Sequence, residues 1–307
     1  MSNITLDPIR LEAIMQFVNE HGESEACKEF GINIESLHRY QRFKRFKDTK
    51  QPKILLLDVE TTPLKVYTFE IRKQYIPHTS IIDDSFLICW SCKWLFDSNI
   101  MSDVLTSQEA IEKNDNRIVN SIWKIMESAD VIISHNGKRF DLPYLNYRFV
   151  MNGLKPPSPF QTIDTLEKTK RHFRFSSNRL DYLGMLIRNK GKIKTDLDLW
   201  KGCLEGDQES LDNMVAYNKE DVNLLEEVYV FIRPFIHSHF NTAIYQESTE
   251  PSCPTCGSVD ITECGHYTTM VNRYLAFRCN SCGAICRSRV PDVPVDMKKA
   301  ILRSTAR

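Results

Sequence analysis

A chain of 307 residues has room for about two average domains, at roughly 150 residues each. Apolar residues at 42% and charged residues at 26% fit a soluble globular protein and exclude a disordered or membrane-embedded one. Forty basic residues cancel forty acidic ones, but unevenly. Residues 36–53 hold seven Lys/Arg against one Asp, and residues 266–307 hold eight against two. Basic ends around a more acidic middle point to an anionic polymer as partner, with solvated charge as the plainer alternative.

The opening "MSNITLDPIRLEAI" lacks the basic start and apolar stretch of a signal peptide, and no run approaches the roughly 18 apolar residues of a membrane span. A cytoplasmic protein with no membrane partner is expected, in host cytoplasm if the source is viral. Thiols stay reduced there, so the ten cysteines read as core residues and metal ligands rather than disulfides.

Composition changes twice along the chain, giving a helical module (1–49), a larger α/β domain (50–236), a polar linker (237–250), a cysteine-rich module (251–291) and a basic tail (292–307). In the first, "DPIRLEAIMQFVNEHG" predicts a helix capped by Asp7, with Pro8 in its first turn and Gly22 as its stop. A short helix follows, then a turn at Gly31 and another helix from about Glu35, the order of a helix-turn-helix. In the α/β domain, strands are predicted at 53–59, 65–71, 86–95 and 130–134, and helices at 117–128, 141–151, 178–189 and 208–231. Strands first, then alternating helix and strand, predict a mixed sheet flanked by helices.

The first strand runs apolar residues into Asp58 and Glu60 in "LLLDVETT". Period two places both carboxylates on one face, and burying them costs free energy unless a cation offsets it. Alone, Asp-x-Glu is weak. Two later stretches strengthen it: "SHNGKRFDLPYL" places Asp141 where a helix begins, and "AYNKEDV" places Tyr217 and Asp221 at i and i+4 on one helix face.

"DVETT", "HNGKRFD" and "YNKED" resemble the three motifs of the DEDD 3′-to-5′ exonucleases, in the subgroup whose third motif is Tyr-x-x-x-Asp. The similarity spans roughly 53–230. It is closest to the proofreading domain of family B DNA polymerases and its free-standing bacterial and phage relatives. The resemblance implies a ribonuclease H-like fold. It also implies a catalytic set of Asp58, Glu60, Asp141, Tyr217 and Asp221, in which the four acids hold two Mg2+ or Mn2+ ions and Tyr217 positions the attacking water. Asp58 would bridge both ions. Thr61 and Asn136 would contact substrate, although Asn136 also reads as a turn residue before Gly137. His135 reads as a local structural residue. Asp164 reads equally as a helix cap or as support for the site. "RHFRFSSNRL" interleaves arginines with Phe173 and Phe175, which suits either single-strand binding or packing at the start of a helix.

"CPTCG" and "CNSCG" form two C-x-x-C knuckles 22 residues apart. Cys253, Cys256, Cys279 and Cys282 are thus expected to hold one structural Zn2+, in a zinc ribbon suggested by the strand-like residues between them. Cys89 and Cys92 share the spacing inside a predicted strand, where they would face opposite ways, and read as core residues. The N-terminal "EACKEFGINIESLHRYQRFKR" resembles the helix-turn-helix of some transposases, which makes Arg39, Arg42, Lys44 and Arg45 candidate DNA contacts. A basic helix docking on protein is the alternative.

Together these features imply a metal-dependent 3′-to-5′ exonuclease on nucleic acid, DNA ahead of RNA and single-stranded 3′ ends ahead of duplex, with a replication or recombination protein as a further partner. An RNA-directed or structure-directed nuclease, or a non-catalytic nucleic-acid-binding regulator or recombination factor of the same fold, stays open.

Overall fold

The computed structural model describes residues 8–32, 34, 37, 51–70, 72, 75–188, 196–246 and 250–303. Helices α1 (Pro8–His21) and α2 (Glu23–Glu29) open the chain. Gly31 then takes a left-handed φ of 61°, and Leu37 beyond it packs on Ile14 and Met15. Asp7, Arg39, Arg42, Lys44 and Arg45 lie outside the described residues.

The α/β unit is built on five strands in the order β5-β4-β1-β6-β7, comprising β1 (Ile54–Thr61), β4 (Leu87–Trp94), β5 (Ile100–Val104), β6 (Val131–Ser134) and β7 (Gln161–Asp164). β1 pairs antiparallel with β4 and parallel with β6, so the sheet is mixed, as expected. Its central strand is buried on both faces, because alternate residues feed separate cores. Leu55 and Leu57 pack with Ile118, Ile122 and Met126 of a helix at Asn116–Met126. Leu56 packs with Ile133, Val222, Leu225 and Tyr229 on the other side. An uninterrupted apolar run is what a strand covered on both faces requires.

Helices follow in chain order: α3 (Ser107–Glu112), α4 (Asn116–Met126), α5 (Asp141–Met151), α6 (Thr165–His172), α7 (Leu180–Arg188), α8 (Leu197–Leu204) and α9 (Gln208–Ile232). α9 feeds both cores, with Leu211 and Met214 on one side and Val222 and Leu225 on the other. Asp207 caps it, accepting from Ser210 N–H at 2.8 Å.

The strand expected over 65–71 is corrected. Among the described residues of this stretch only Lys65–Val66 (β2) forms a strand, paired with Ile81–Asp83 (β3), because Tyr67 and Phe69 point into solvent and have no face to bury. β5, β7, α3, α6 and α8 were not expected. Phe173 and Phe175 stack on each other with centroids 4.9 Å apart and pack against separate apolar clusters, so they serve the core. Cys89 and Cys92 are buried and free, as the core reading required.

Past α9, the 3-10 turn Thr242–Tyr245 lies against the cysteine-rich module, where Thr242 N–H donates to Pro254 O at 2.7 Å. That module is a three-stranded sheet, β10-β9-β8, of β8 (Ile261–Thr268), β9 (Arg273–Cys279) and β10 (Ile285–Arg287). A helix at Val295–Ala300 follows it. Among the described residues no helix is long and apolar enough to cross a membrane.

Candidate metal-binding sites

The parallel pairing of β1 with β6 ends at Leu56↔Ile133, two residues before Asp58. Beyond it β1 remains paired only with β4, up to an irregularity between Glu60 and Thr61. The N–H groups on the β6 side thus need other acceptors. Asp141 answers for one: its Oδ1 accepts from Val59 N–H at 3.2 Å. Thr62, buried at the end of the strand, closes the other side by accepting from Phe86 N–H at 2.9 Å. Thr61, half-buried, sits between this anchor and Glu60.

α9 passes over this strand end and brings Asp221 to the pair. A carboxylate oxygen from each of Asp58, Glu60 and Asp221 lies within 4.8 Å of the others. Three like charges this close repel unless a cation joins them, and an all-oxygen donor set suits a hard divalent ion. The residues therefore fit the metal expected here. Asp141 is not part of this trio and stands behind it, almost fully buried. Burial pushes its carboxyl up to about 7; bonds from Val59 N–H and its own N–H oppose the rise, and Asp164 adds to it. Tyr217 lies one turn before Asp221 on α9, half-buried against the larger core.

Sequence reasoning missed Asn218. This fully buried side chain donates from Nδ2 to Asp58 Oδ2 at 2.7 Å, fixing the carboxylate's orientation. Its position three residues before Asp221, on the same helix face, was the available signal.

The loop after β6 is held from β7. Asp164 accepts from Asn136 N–H at 3.0 Å and Lys138 N–H at 3.2 Å, and also caps α6 through Glu167 N–H at 3.2 Å. The cap and the site support are thus one interaction set. Asn136 takes a left-handed φ of 73°, which makes it the turn residue. His135 bonds Thr165 Oγ1 through Nδ1 at 2.8 Å, a local structural contact.

In the cysteine-rich module the four predicted ligand sulfurs converge. Cys253 and Cys282 Sγ are 3.7 Å apart, Cys256 and Cys279 Sγ 3.5 Å, and all four lie within 4.8 Å of one another. A tetrahedral thiolate site with bonds of about 2.3 Å has edges of about 3.8 Å, so the set fits a tetrahedral metal. The knuckles repeat each other: Gly257 N–H donates to Cys253 O at 2.8 Å and Gly283 N–H to Cys279 O at 2.9 Å. Their φ angles are 77° and 78°. A cavity of about 660 Å3 between this module and the sheet is lined by Ile54, Trp94, Phe96 and Arg233. It lies at the opposite end of β1 from Asp58 and is no part of the carboxylate site.

The chain matches the family described as RNase_H superfamily over residues 93–233, a span that includes Asp141, Tyr217 and Asp221 but begins after β1. Among solved structures it is similar to the family B DNA polymerase of the hyperthermophilic archaeon Pyrobaculum calidifontis, with 14% identity and a TM-score of 0.45. That alignment covers 60% of this chain and 25% of the polymerase chain, so the protein spans about a quarter of it. No curated protein matches the chain. The α/β unit has a ribonuclease H-like fold, a mixed sheet flanked by helices.

Proposed function

We propose that this protein is a metal-dependent nuclease that trims DNA from single-stranded 3′ ends. The observation that carries the proposal is the convergence of Asp58, Glu60 and Asp221 at one strand end, from positions as much as 163 residues apart. When bound, two Mg2+ or Mn2+ ions would activate a water and stabilise the leaving oxygen of a phosphodiester. Asp58, Glu60 and Asp221 would hold them, with Asp141 completing the set from behind. Asn218 holds Asp58 in one rotamer. Tyr217 orients the attacking water. Asn136, in the loop held by Asp164, and Thr61, beside Glu60, would contact the terminal nucleotide. The four cysteines hold one structural Zn2+, a choice supported by the sulfur spacing and the all-thiolate donor set. The N-terminal helices and the cysteine module hold the strand while the carboxylates cut it.

The test uses 5′-labelled single-stranded DNA and RNA with magnesium, with manganese or with chelator, beside an Asp58→Ala control. A metal-dependent ladder shortening from the 3′ end, stronger on DNA and lost in the variant, is the expected result. Internal fragments of defined length would replace exonuclease with endonuclease. Tight binding with no metal-dependent product would leave a binding protein.

A further inference from the structure

The zinc-module sheet has two chemically different faces. On one, Asp292 pairs with His266 Nε2 at 3.2 Å and Arg273 at 3.0 Å, so the basic groups of that side have a carboxylate partner. The other face carries Tyr267 and Tyr274, which are cross-strand partners in the β8–β9 register. Arg287 joins them from β10, its guanidinium 4.1 Å from the Tyr274 ring centroid and 5.3 Å from that of Tyr267. Arg278 lies on the same face, opposite Ile285 in the β9–β10 register and two pairs from Arg287.

The acids of the module are elsewhere. Asp292 is on the first face, Glu263 pairs in register with Phe277 on that same face, and Asp260 is bonded to Asn280 at the knuckle end. Among the described residues no carboxylate pairs with Arg278 or Arg287. Tyr267 is 52% exposed. The face therefore offers two cations without counter-ions among the described residues, and an aromatic pair, Tyr267 exposed and Tyr274 half-buried, with a guanidinium layered on it.

We infer that this face binds single-stranded nucleic acid, with bases stacking on the Tyr267–Arg287–Tyr274 layer and phosphates meeting Arg278 and Arg287. Unpaired bases expose the ring faces such a platform needs, and a duplex hides them within its own stack. The arginines then do what surface cations do on polyanions, neutralising phosphates and releasing counter-ions, so binding weakens with salt. The inference rests on the nucleic-acid reading of the substrate. It adds where the strand is gripped and in what form.

The test is fluorescence anisotropy on the full chain carrying Asp58→Asn, so that binding is read without cutting, using labelled single-stranded oligothymidylate and a duplex of the same length. Tyr274→Ala and Arg287→Ala are each expected to weaken single-strand binding about tenfold. Tyr274→Phe should bind as the parent does, because stacking needs the ring and not the hydroxyl. Glu263→Ala, on the opposite face, should change nothing. Zinc content is measured for every variant. Should Tyr274→Ala lose zinc, Arg287→Gln, at an exposed position, decides the question. Unchanged affinity in the Arg287 variants overturns the inference, and so does an equal loss for duplex, which would reduce the face to phosphate contact. The two readings fail separately. Wild type that binds by this pattern but never cuts refutes the nuclease. Wild type that trims while the Arg287 variants bind normally refutes this face.

Discussion

Buried Asn218 and half-buried Asp58 form a donor–acceptor pair joining the last helix of the α/β unit to its first strand, at 2.7 Å. Removing the donor leaves Asp58 present but takes away the bond to its Oδ2. Asn218→Ala should therefore lower metal-dependent trimming about ten- to a hundredfold, the range for partners that orient metal ligands. Asp58→Asn should abolish it. Asn218→Ala should cost little stability, within about 1 kcal/mol, because Asn218 Oδ1 is buried without a hydrogen-bond partner among the described residues and its removal offsets the lost bond. Activity assays beside thermal melts separate the two effects, and a melt lowered in step with activity would mark Asn218 as merely structural. Asp58, Glu60, Asp141 and Asp221 could be named as candidates because each lies in a short stretch that resembles an exonuclease motif; spacing alone gave only a weak Asp-x-Glu and a Tyr217–Asp221 pair on one helix face. Asn218 was not legible as a site residue. Its place on the helix face of Asp221 was a hint, but its meaning depends on a strand 160 residues earlier, and spacing on the helix does not name that partner.

Long elements could be read from their patterns, and short ones could not. The helix at 141–151 has its predicted limits, and α9 differs from the predicted 208–231 by one residue. β5 and β7 escaped because an edge strand of four or five residues carries too few alternations to show a period. The loop after β6 illustrates how tightly such short pieces are set. A Cβ built at Gly137 would lie 2.5 Å from Ser134 Cβ, which is fixed to β6, and 3.4 Å from Asp141 Oδ2. Gly137→Ala should thus displace the loop, costing about 1–3 kcal/mol and lowering activity through Asp141. Adding Ser134→Gly removes the obstructing atoms and should recover most of the lost melting temperature. No recovery would place the strain elsewhere.

His239 donates from Nδ1 to Phe240 O and accepts from the Tyr229 hydroxyl at Nε2, each at 2.7 Å, an arrangement that needs a neutral ring. Burial lowers its pKa from 6.5 to about 4; the bond to Phe240 O resists the fall, and the nearby Arg233 and Lys168 add to it. A histidine with a depressed folded pKa contributes stability fully above its unfolded value and loses it as pH falls. The window is therefore from about 6.5 down to about 4, with a loss on the order of 2–3 kcal/mol. In His239→Gln, melting temperature should fall less steeply across that window than in wild type. Parallel slopes would show that the ring already titrates normally.

At the scale of the whole molecule, the change in composition near residue 251 predicted the cysteine module, and its packing supports the proposed metal. The module's buried cluster is Cys253, Cys279, Cys282 and Ala284, with Cys256 and Ile261 against it. Most of that cluster is ligand sulfur, so little apolar area remains to hold three strands together without the ion. The α/β unit has two large apolar clusters of its own. Described contacts across the junction include Thr242 with Pro254 and Gln246 Nε2 with Gly257 O at 2.8 Å, each a polar contact of modest net strength. Cys279→Ser, or a strong chelator under reducing conditions, should release one zinc ion per chain and open the module to protease. The α/β unit should keep its helical signal and nearly its full melting temperature. Because the carboxylates stand on the sheet and not on the module, the Cys279→Ser protein, assayed with magnesium restored, should show a raised KM on long single strands and an almost unchanged kcat. A kcat that collapses with the zinc would mean that the module shapes the carboxylate site itself. Reduced protein containing no zinc would remove the ion from the account altogether.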